Sequence, residues 1–215
     1  MQLLEVLRLI FYTHMVFFCT RILFNGAIGK VGDEIVYRKS LSIDIVKPIL
    51  IACDNRNIEI AAQSESVDYS NFPTTKYWPW LKNYKIIDFN SYDKETAKLY
   101  LPNLCNIDKE FVKNLLCEEV YYHDSIDPHS NTLFMIMNID ATKGKALDTI
   151  AKYYNINKEN VLAFGDDYND LDMLKYAGVS VAMSNAISDV KKVCLYKCLS
   201  NEEDGVAKWI EENIL

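Results

Sequence analysis

The stretch VLAFGDDYNDLDML, residues 161–174, sets Asp166, Asp167, Asp170 and Asp172 within seven positions directly behind an apolar run. Carboxylates gathered this way could hold a hard cation through oxygen ligands, and Mg²⁺ with a phosphate is the usual pairing at such a place. Gly165 permits a sharp turn, Asp166 then projects from a strand end, and a helix beginning near Tyr168 aims its positive N-terminus into the same crevice. A second reading is open from these residues alone, in which Asp166 and Asp167 are a helix cap and first-turn acids. An EF-hand is excluded, because counting from Asp167 puts Leu171 at the fifth position and counting from Asp166 puts Tyr168 at the third. Gly26, Gly29 and Gly32 are spaced three apart, which matches no Walker A or dinucleotide fingerprint.

Upstream, TKGKAL places Lys143 at the start of a helix that precedes the acidic strand by one α/β step. Its ammonium can therefore reach the crevice that Asp166 enters, as a point charge for a phosphate or an acyl-phosphate.

The elements that must position these groups are legible as periodicity. From residue 140 the chain reads helix (TKGKALDTIAKYYN), strand (NVLAFG), helix (YNDLDMLKYAG), strand (VSVAM) and helix (NAISDVKKV). Strands apolar throughout and separated by helices signal a parallel sheet covered on both faces, half of a doubly wound α/β domain. Ligands of such sheets sit beyond the carboxyl ends of the strands.

Between about residues 33 and 139 the texture differs. EIVYRKSL, NIEIAAQS, YKIIDF, AKLYL, EEVYYH and TLFMIMNI read as strands, SIDIVKPILIACDN as a helix capped by Ser42, and DKEFVKNLLC as a second helix. Several connections are too short for crossovers, so an antiparallel α+β module is expected. The apolar N-terminus reads as a helix over residues 2–12 and a buried strand over 15–24; Glu5, Arg8, His14 and Arg21 interrupt it too often for a spanning segment.

The formal net charge of −7, without a basic cluster, makes nucleic acid and anionic membrane poor partners. Six cysteines without a CxxC pair, and no Asn-x-Ser/Thr acceptor, point to free thiols in a reducing cytoplasm. In TTKYWPWLKNY, Tyr77, Trp78 and Trp80 are either sugar-stacking groups or module core. His123 and His129 stand too isolated to argue as ligands.

Taken in order, TKGKAL, VLAFGDDYNDLDML, AGVSVAMSNA and LSNEEDGVAKWIE resemble the C-terminal part of the haloacid dehalogenase superfamily, specifically Cof-type phosphatases with a large α+β cap. FNGAI, residues 24–28, resembles the strand end where that family's core hands over to its cap, so the likeness runs from about Leu23 to the last residue, while residues 1–22 match no motif of it. The resemblance implies an α/β fold: a Rossmann-like core with an inserted α+β cap, divided as residues 1–28 (remnant of the N-terminal core), 29–139 (cap) and 140–215 (C-terminal half of the core). It implies Mg²⁺ as cofactor and a small phosphorylated metabolite, such as a sugar phosphate, as substrate. By the same resemblance, Lys143 steadies the phosphate and the nucleophile, Asp166 is the acidic Mg²⁺ ligand, and Asp170 braces the site. Asn169, Asn25, Gly26 and Asn185 line the phosphate mouth, while Asp172 lies merely on the helix face.

One part of the family pattern is missing from these residues. Its chemistry uses an aspartate nucleophile in a DxDGT-like motif, whereas no Asp-x-Asp occurs before Asp166 and the later Asp170-Leu171-Asp172 is already placed. Neither Lys143 nor Asp166 substitutes for a carboxylate that forms the covalent intermediate. The expectation is a chain without its first core strands, with an unpaired edge on VLAF and an N-terminal fragment as a candidate partner. Three readings follow: a Mg²⁺-dependent phosphatase, a non-catalytic remnant or split-enzyme half that binds Mg²⁺ or phosphate, and a phosphomutase equally dependent on the missing aspartate.

Overall fold

The computed structural model describes residues 20–127 and 130–215. The helix expected over residues 2–12, the first half (15–19) of the strand expected over 15–24, and His129 lie outside the described residues. The chain divides into two compact units, one of residues 39–141 and one that combines the segments up to Arg38 and from Thr142 onward.

In the second of these units, β1 (Thr20–Leu23), β2 (Ile28–Val31) and β3 (Glu34–Arg38) form an antiparallel sheet in that order. A 3-10 turn over Phe24–Gly26 joins the first two. The cap was expected to begin at residue 29, but β2 and β3 fold with the core unit and the division falls after Arg38. The cause is packing. A Cβ added to Gly29 would stand 3.3 Å from the Ile150 side chain, and the Tyr153 hydroxyl meets Glu34 at 3.1 Å, so this hairpin is fastened to the helix carrying Lys143.

The inserted unit is a six-stranded sheet built from β4 (Ala61–Gln63), β5 (Asp68–Ser70), β6 (Tyr84–Ile86), β7 (Lys98–Pro102), β8 (Val120–Ile126) and β9 (Thr132–Asn138). Its order is β6-β5-β4-β7-β9-β8. All pairs are antiparallel except β5–β6, which corrects the wholly antiparallel expectation. The chain between those two strands is long enough, with its 3-10 turn at Thr74–Lys76, to return to the same end.

Helix α1 (Ile43–Asn55) buries Val46, Ile49, Leu50 and Cys53, the i, i+3, i+4, i+7 stripe of an amphipathic helix. Together with Val112 of α2 (Asn106–Lys113) it covers one sheet face through Ala62, Leu99, Leu101, Phe134 and Ile136. Each valine, leucine, isoleucine or phenylalanine among them contributes roughly 1.5–3 kcal/mol on burial. Ser42 occupies the N-cap of α1 as expected, but its side chain makes no capping hydrogen bond.

The five described cysteines are free thiols. Burial pushes the Cys53 thiol up to about 12, so it carries almost no thiolate at neutral pH. Iodoacetamide is therefore expected to label exposed Cys105 and Cys117 in the native protein and to reach Cys53 only after denaturation, as peptide mass mapping reads directly.

The core unit's parallel sheet is β10 (Leu162–Gly165), β11 (Val179–Ala182) and β12 (Tyr196–Lys197), in that order. Among the described residues β10 pairs with β11 alone, so VLAF runs along a sheet edge. Around it lie α3 (Lys143–Tyr153), α4 (Leu171–Tyr176), α5 (Ser188–Val193) and α6 (Gly205–Asn213). Val179, Val181, Trp209 and Ile214 form one buried cluster, and Ala163, Leu174, Ala182 and Val190 belong to another. No described helix is long and apolar enough to cross a membrane.

Candidate active site

β10 ends at Gly165, and the chain must turn there with Asp170 against it. A Cβ on Gly165 would sit 2.6 Å from the Asp170 Cβ, so glycine is what lets the two segments close. The acidic stretch then forms a 3-10 turn, Tyr168–Asp170, leading into α4, rather than one continuous helix. Asp167 and Asp170 make a reciprocal capping box at its start, with Asp167 Oδ1 accepting from Tyr168 N at 2.7 Å. The two readings of the acidic stretch thus divide by residue. Asp167 is a cap, and Asp166 is an exposed carboxylate at the strand end.

Asp170 is the hub. Its side chain is only 7% exposed, and its Oδ2 accepts from the backbone N–H of Asp166 at 3.0 Å and of Asp167 at 3.3 Å. Its Oδ1 receives Lys143 Nζ at 2.5 Å, and the same ammonium donates to Asn169 Oδ1 at 3.2 Å. A buried carboxylate must be paired and hydrogen-bonded to persist, and Asp170 is both. Lys143, the first residue of α3, is 28% exposed at the side chain, so its ammonium is braced from beneath while remaining reachable. Asp166 makes a separate contact, accepting from Asn185 Nδ2 at 3.2 Å on the loop after β11.

Asn25 and Gly26 join this region through the backbone. Phe24, Asn25 and Gly26 all have positive φ, at 53°, 57° and 103°. Gly26 lies so close to α3 that an added Cβ would collide with the Thr142 carbonyl and stand 2.6 Å from Lys143 N. The asparagine loop and the lysine helix therefore meet at the residue before Lys143.

Asp172 needs correcting. It does not merely occupy a helix face, because its Oδ2 accepts from Gly144 N at 2.9 Å and its Oδ1 from Met173 N at 2.9 Å. It clamps the first turn of α3 onto α4, and Gly144 permits the approach, since a Cβ there would sit 2.7 Å from Asp172 Oδ2. Alternating Gly144 with Lys143 and Lys145 was the available sequence signal, but it names no partner. Asp172→Ala is expected to cost about 1–2 kcal/mol in urea unfolding by freeing an N-terminal helix N–H, with the denaturant slope unchanged.

A metal must be tested against this donor set. Among the described residues no three Asp, Glu, His or Cys side chains converge as a cation site. Mg²⁺, however, is commonly held by one or two carboxylates with waters and substrate phosphate oxygens completing its shell. The exposed Asp166 carboxylate, on the loop braced by Asp170, fits as one such ligand.

Of the aromatics, Trp78 is 7% exposed and donates from Nε1 to Asp127 at 2.6 Å, whereas Trp80 is 59% exposed. Tyr77 donates its hydroxyl to Glu59 at 2.6 Å. The run is thus part core and part surface.

The chain is similar to known proteins along most of its length. It is 34% identical over 150 residues to 5-amino-6-(5-phospho-D-ribitylamino)uracil phosphatase YcsE of Bacillus subtilis, covering 69% of this chain and 60% of that protein. It is 43% identical over 77 residues to the B. subtilis enzyme of the same description, YitU, covering 36% of this chain and 28% of that one. The chain thus spans less than two thirds of these curated relatives.

Among solved structures, a haloacid dehalogenase-like hydrolase from B. subtilis matches with a TM-score of 0.74 at 20% identity, covering 97% of this chain and 84% of its own. Another from Bacteroides thetaiotaomicron matches with a TM-score of 0.73 at 24% identity, covering 87% and 74%. At those identities the likeness shows the fold: a Rossmann-like core with an inserted cap.

The model of the haloacid dehalogenase-like hydrolases matches residues 4–210, which carries the family signal through the segment that had shown no recognisable motif. With that match over nearly the whole chain, the protein belongs to the haloacid dehalogenase-like hydrolases.

Proposed function

We propose that this chain carries the phosphate-binding and Mg²⁺-binding side of a phosphatase site for small phosphomonoesters, sugar phosphates among them. The observation behind this reading is the Lys143–Asp170 pair, which holds a partly exposed ammonium at the carboxyl end of a parallel strand while Asp166 stands exposed on the same loop. Lys143 supplies positive charge to a phosphoryl group, Asn169 orients that ammonium, and the Asn25–Gly26 loop and Asn185 line the mouth. Mg²⁺ on Asp166 would neutralise charge on the transferring phosphoryl group. The curated relatives described as ribitylaminouracil phosphatases add a ring-bearing phosphomonoester to the substrates worth testing.

These 215 residues hold no Asp-x-Asp before Asp166, so the nucleophilic carboxylate is not among the groups described. The chain on its own is accordingly expected to bind phosphate without turning substrate over, and a polypeptide supplying the nucleophile strand beside β10 would be its partner. The predicted compartment is the cytoplasm.

Calorimetric titration with inorganic phosphate in the presence of Mg²⁺ tests the binding half of this reading. Binding that weakens about tenfold or more in Lys143→Ala supports it, since a charge-assisted contact is worth about 1.5–3 kcal/mol. Assay with para-nitrophenyl phosphate tests the other half. Robust Mg²⁺-dependent turnover by the chain, abolished in Asp166→Ala, would sink the non-catalytic reading and leave the phosphatase one.

A further inference from the structure

The sheet of the inserted unit has one face covered by α1 and α2 and another that carries different chemistry. Pairing places Gln63 opposite both Asp68 and Lys98, and Tyr100 opposite Met135, which in turn faces His123. Since neighbours across a ladder share a face, these six side chains lie on the side away from Leu99 and Leu101. Lys98, Tyr100 and Gln63 line a cavity of about 160 Å³ with Trp78, Trp80, Leu81 and Leu133.

The polar groups here are balanced in charge but not in hydrogen bonds. Tyr100 donates to Asp68 Oδ2 at 2.7 Å, and Gln63 donates to the same oxygen at 3.4 Å. Burial pushes the Asp68 carboxyl up and the Lys98 ammonium down, each opposed by the field of the other, so the pair is neutral overall whichever carries the proton. Yet Lys98 makes its one hydrogen bond among the described residues to the Met135 thioether, at 3.8 Å. Sulfur is a weak acceptor and a lysine amino group has two N–H donors when neutral and three when charged, so at least one is left for something else. On the same face His123 Nε2 is buried with no hydrogen-bond partner among the described residues.

A site that already holds its counter-charge but lacks acceptors suits a neutral oxygen better than an anion. The walls say what bears that oxygen. Trp80 offers an exposed indole, and Trp78 and Tyr100 pack edge to face at 5.6 Å as a rigid aromatic corner.

We propose that this cavity binds a single planar ring bearing a carbonyl oxygen, with Lys98 donating to the oxygen and Trp80 stacking on the ring. The site lies wholly within the inserted unit and uses none of the residues placed at the phosphate site.

Uracil is the probe, followed by the indole N–H resonances of the whole chain, in which Trp209 of the core unit serves as the internal control. Saturable shifts at Trp78 and Trp80 but not at Trp209 are expected. Binding is expected to weaken about tenfold in Trp80→Ala and in Lys98→Met, the scale of one lost stacking contact or one lost hydrogen bond to a charged group. Benzoate and glucose are expected to bind more weakly than uracil.

Absence of a saturable shift overturns the proposal. Tighter binding of benzoate overturns the neutral-acceptor assignment, and tighter binding of glucose overturns the planar-ring assignment. Trp80 is exposed, so if Lys98→Met does not fold, unchanged uracil affinity in Trp80→Ala remains a refutation. Phosphate binding is read on Lys143 variants and uracil binding on the cap indoles, so the two sites succeed or fail separately.

Discussion

Asp170→Ala is expected to lower the unfolding free energy by about 3 kcal/mol, the range found when one member of a buried charged pair is removed. Three losses arise together. The Asp166 and Asp167 N–H groups lose their shared acceptor, Lys143 loses its counter-ion, and the reciprocal cap of the Tyr168–Asp170 turn disappears. Lys143 is partly exposed, so water recovers some of its solvation, which holds the figure near the lower end of the range. Asp170→Asn keeps an oxygen for the backbone donors while presenting no charge to Lys143, and is expected to fall between alanine and the parent. Urea unfolding at neutral pH checks both. A loss below about 1 kcal/mol for the alanine variant would mean that Asp170 does not hold the loop.

Gly26→Ala carries the second large effect, for steric rather than electrostatic reasons. At φ of 103° an L side chain is strained wherever space allows, and here no space exists, because the new Cβ collides with the Thr142 carbonyl immediately before Lys143. Backbone strain and forced displacement together put the cost at roughly 3 kcal/mol or more. Gly32→Ala is the matched control: its φ of 60° is also left-handed, but a Cβ there meets nothing within 4 Å among the described residues. It is expected to cost about 1–2 kcal/mol. Equal melting temperatures for the two variants would show that the approach of the FNGAI loop to α3 is not a real constraint.

Much of this arrangement was legible in the residue order. The stripe at Val46, Ile49, Leu50 and Cys53 announces α1 by its spacing, and the apolar runs of VLAF and VSVA announce buried parallel strands. Gly165 followed by paired aspartates announces a strand-to-helix turn. Motif order from TKGKAL onward was enough to indicate the family. These signals are local, because a strand's pleat or a helix's turn is written within a few residues. The segment from residue 4 lacked any such motif, yet it aligns with the family, because a model of many positions sums weak preferences that no single motif displays.

What the sequence by itself determined is therefore the inventory: a family, a cap and core, a lysine, an acidic loop, and the absence of Asp-x-Asp before Asp166. Tertiary structure alone decided the pairings. Lys143 binds Asp170 across 27 positions, and Asp172 clamps Gly144 across 28, whereas Asp172 reads in isolation as one more acid on a helix. Lys98 reads as an ordinary strand lysine until the ladder sets it beside Gln63 and leaves a thioether as its acceptor. Periodicity specifies which face a side chain takes on its own element. Which group waits on the opposing element depends on helix packing and strand register, and those are settled by the burial of the whole unit at once.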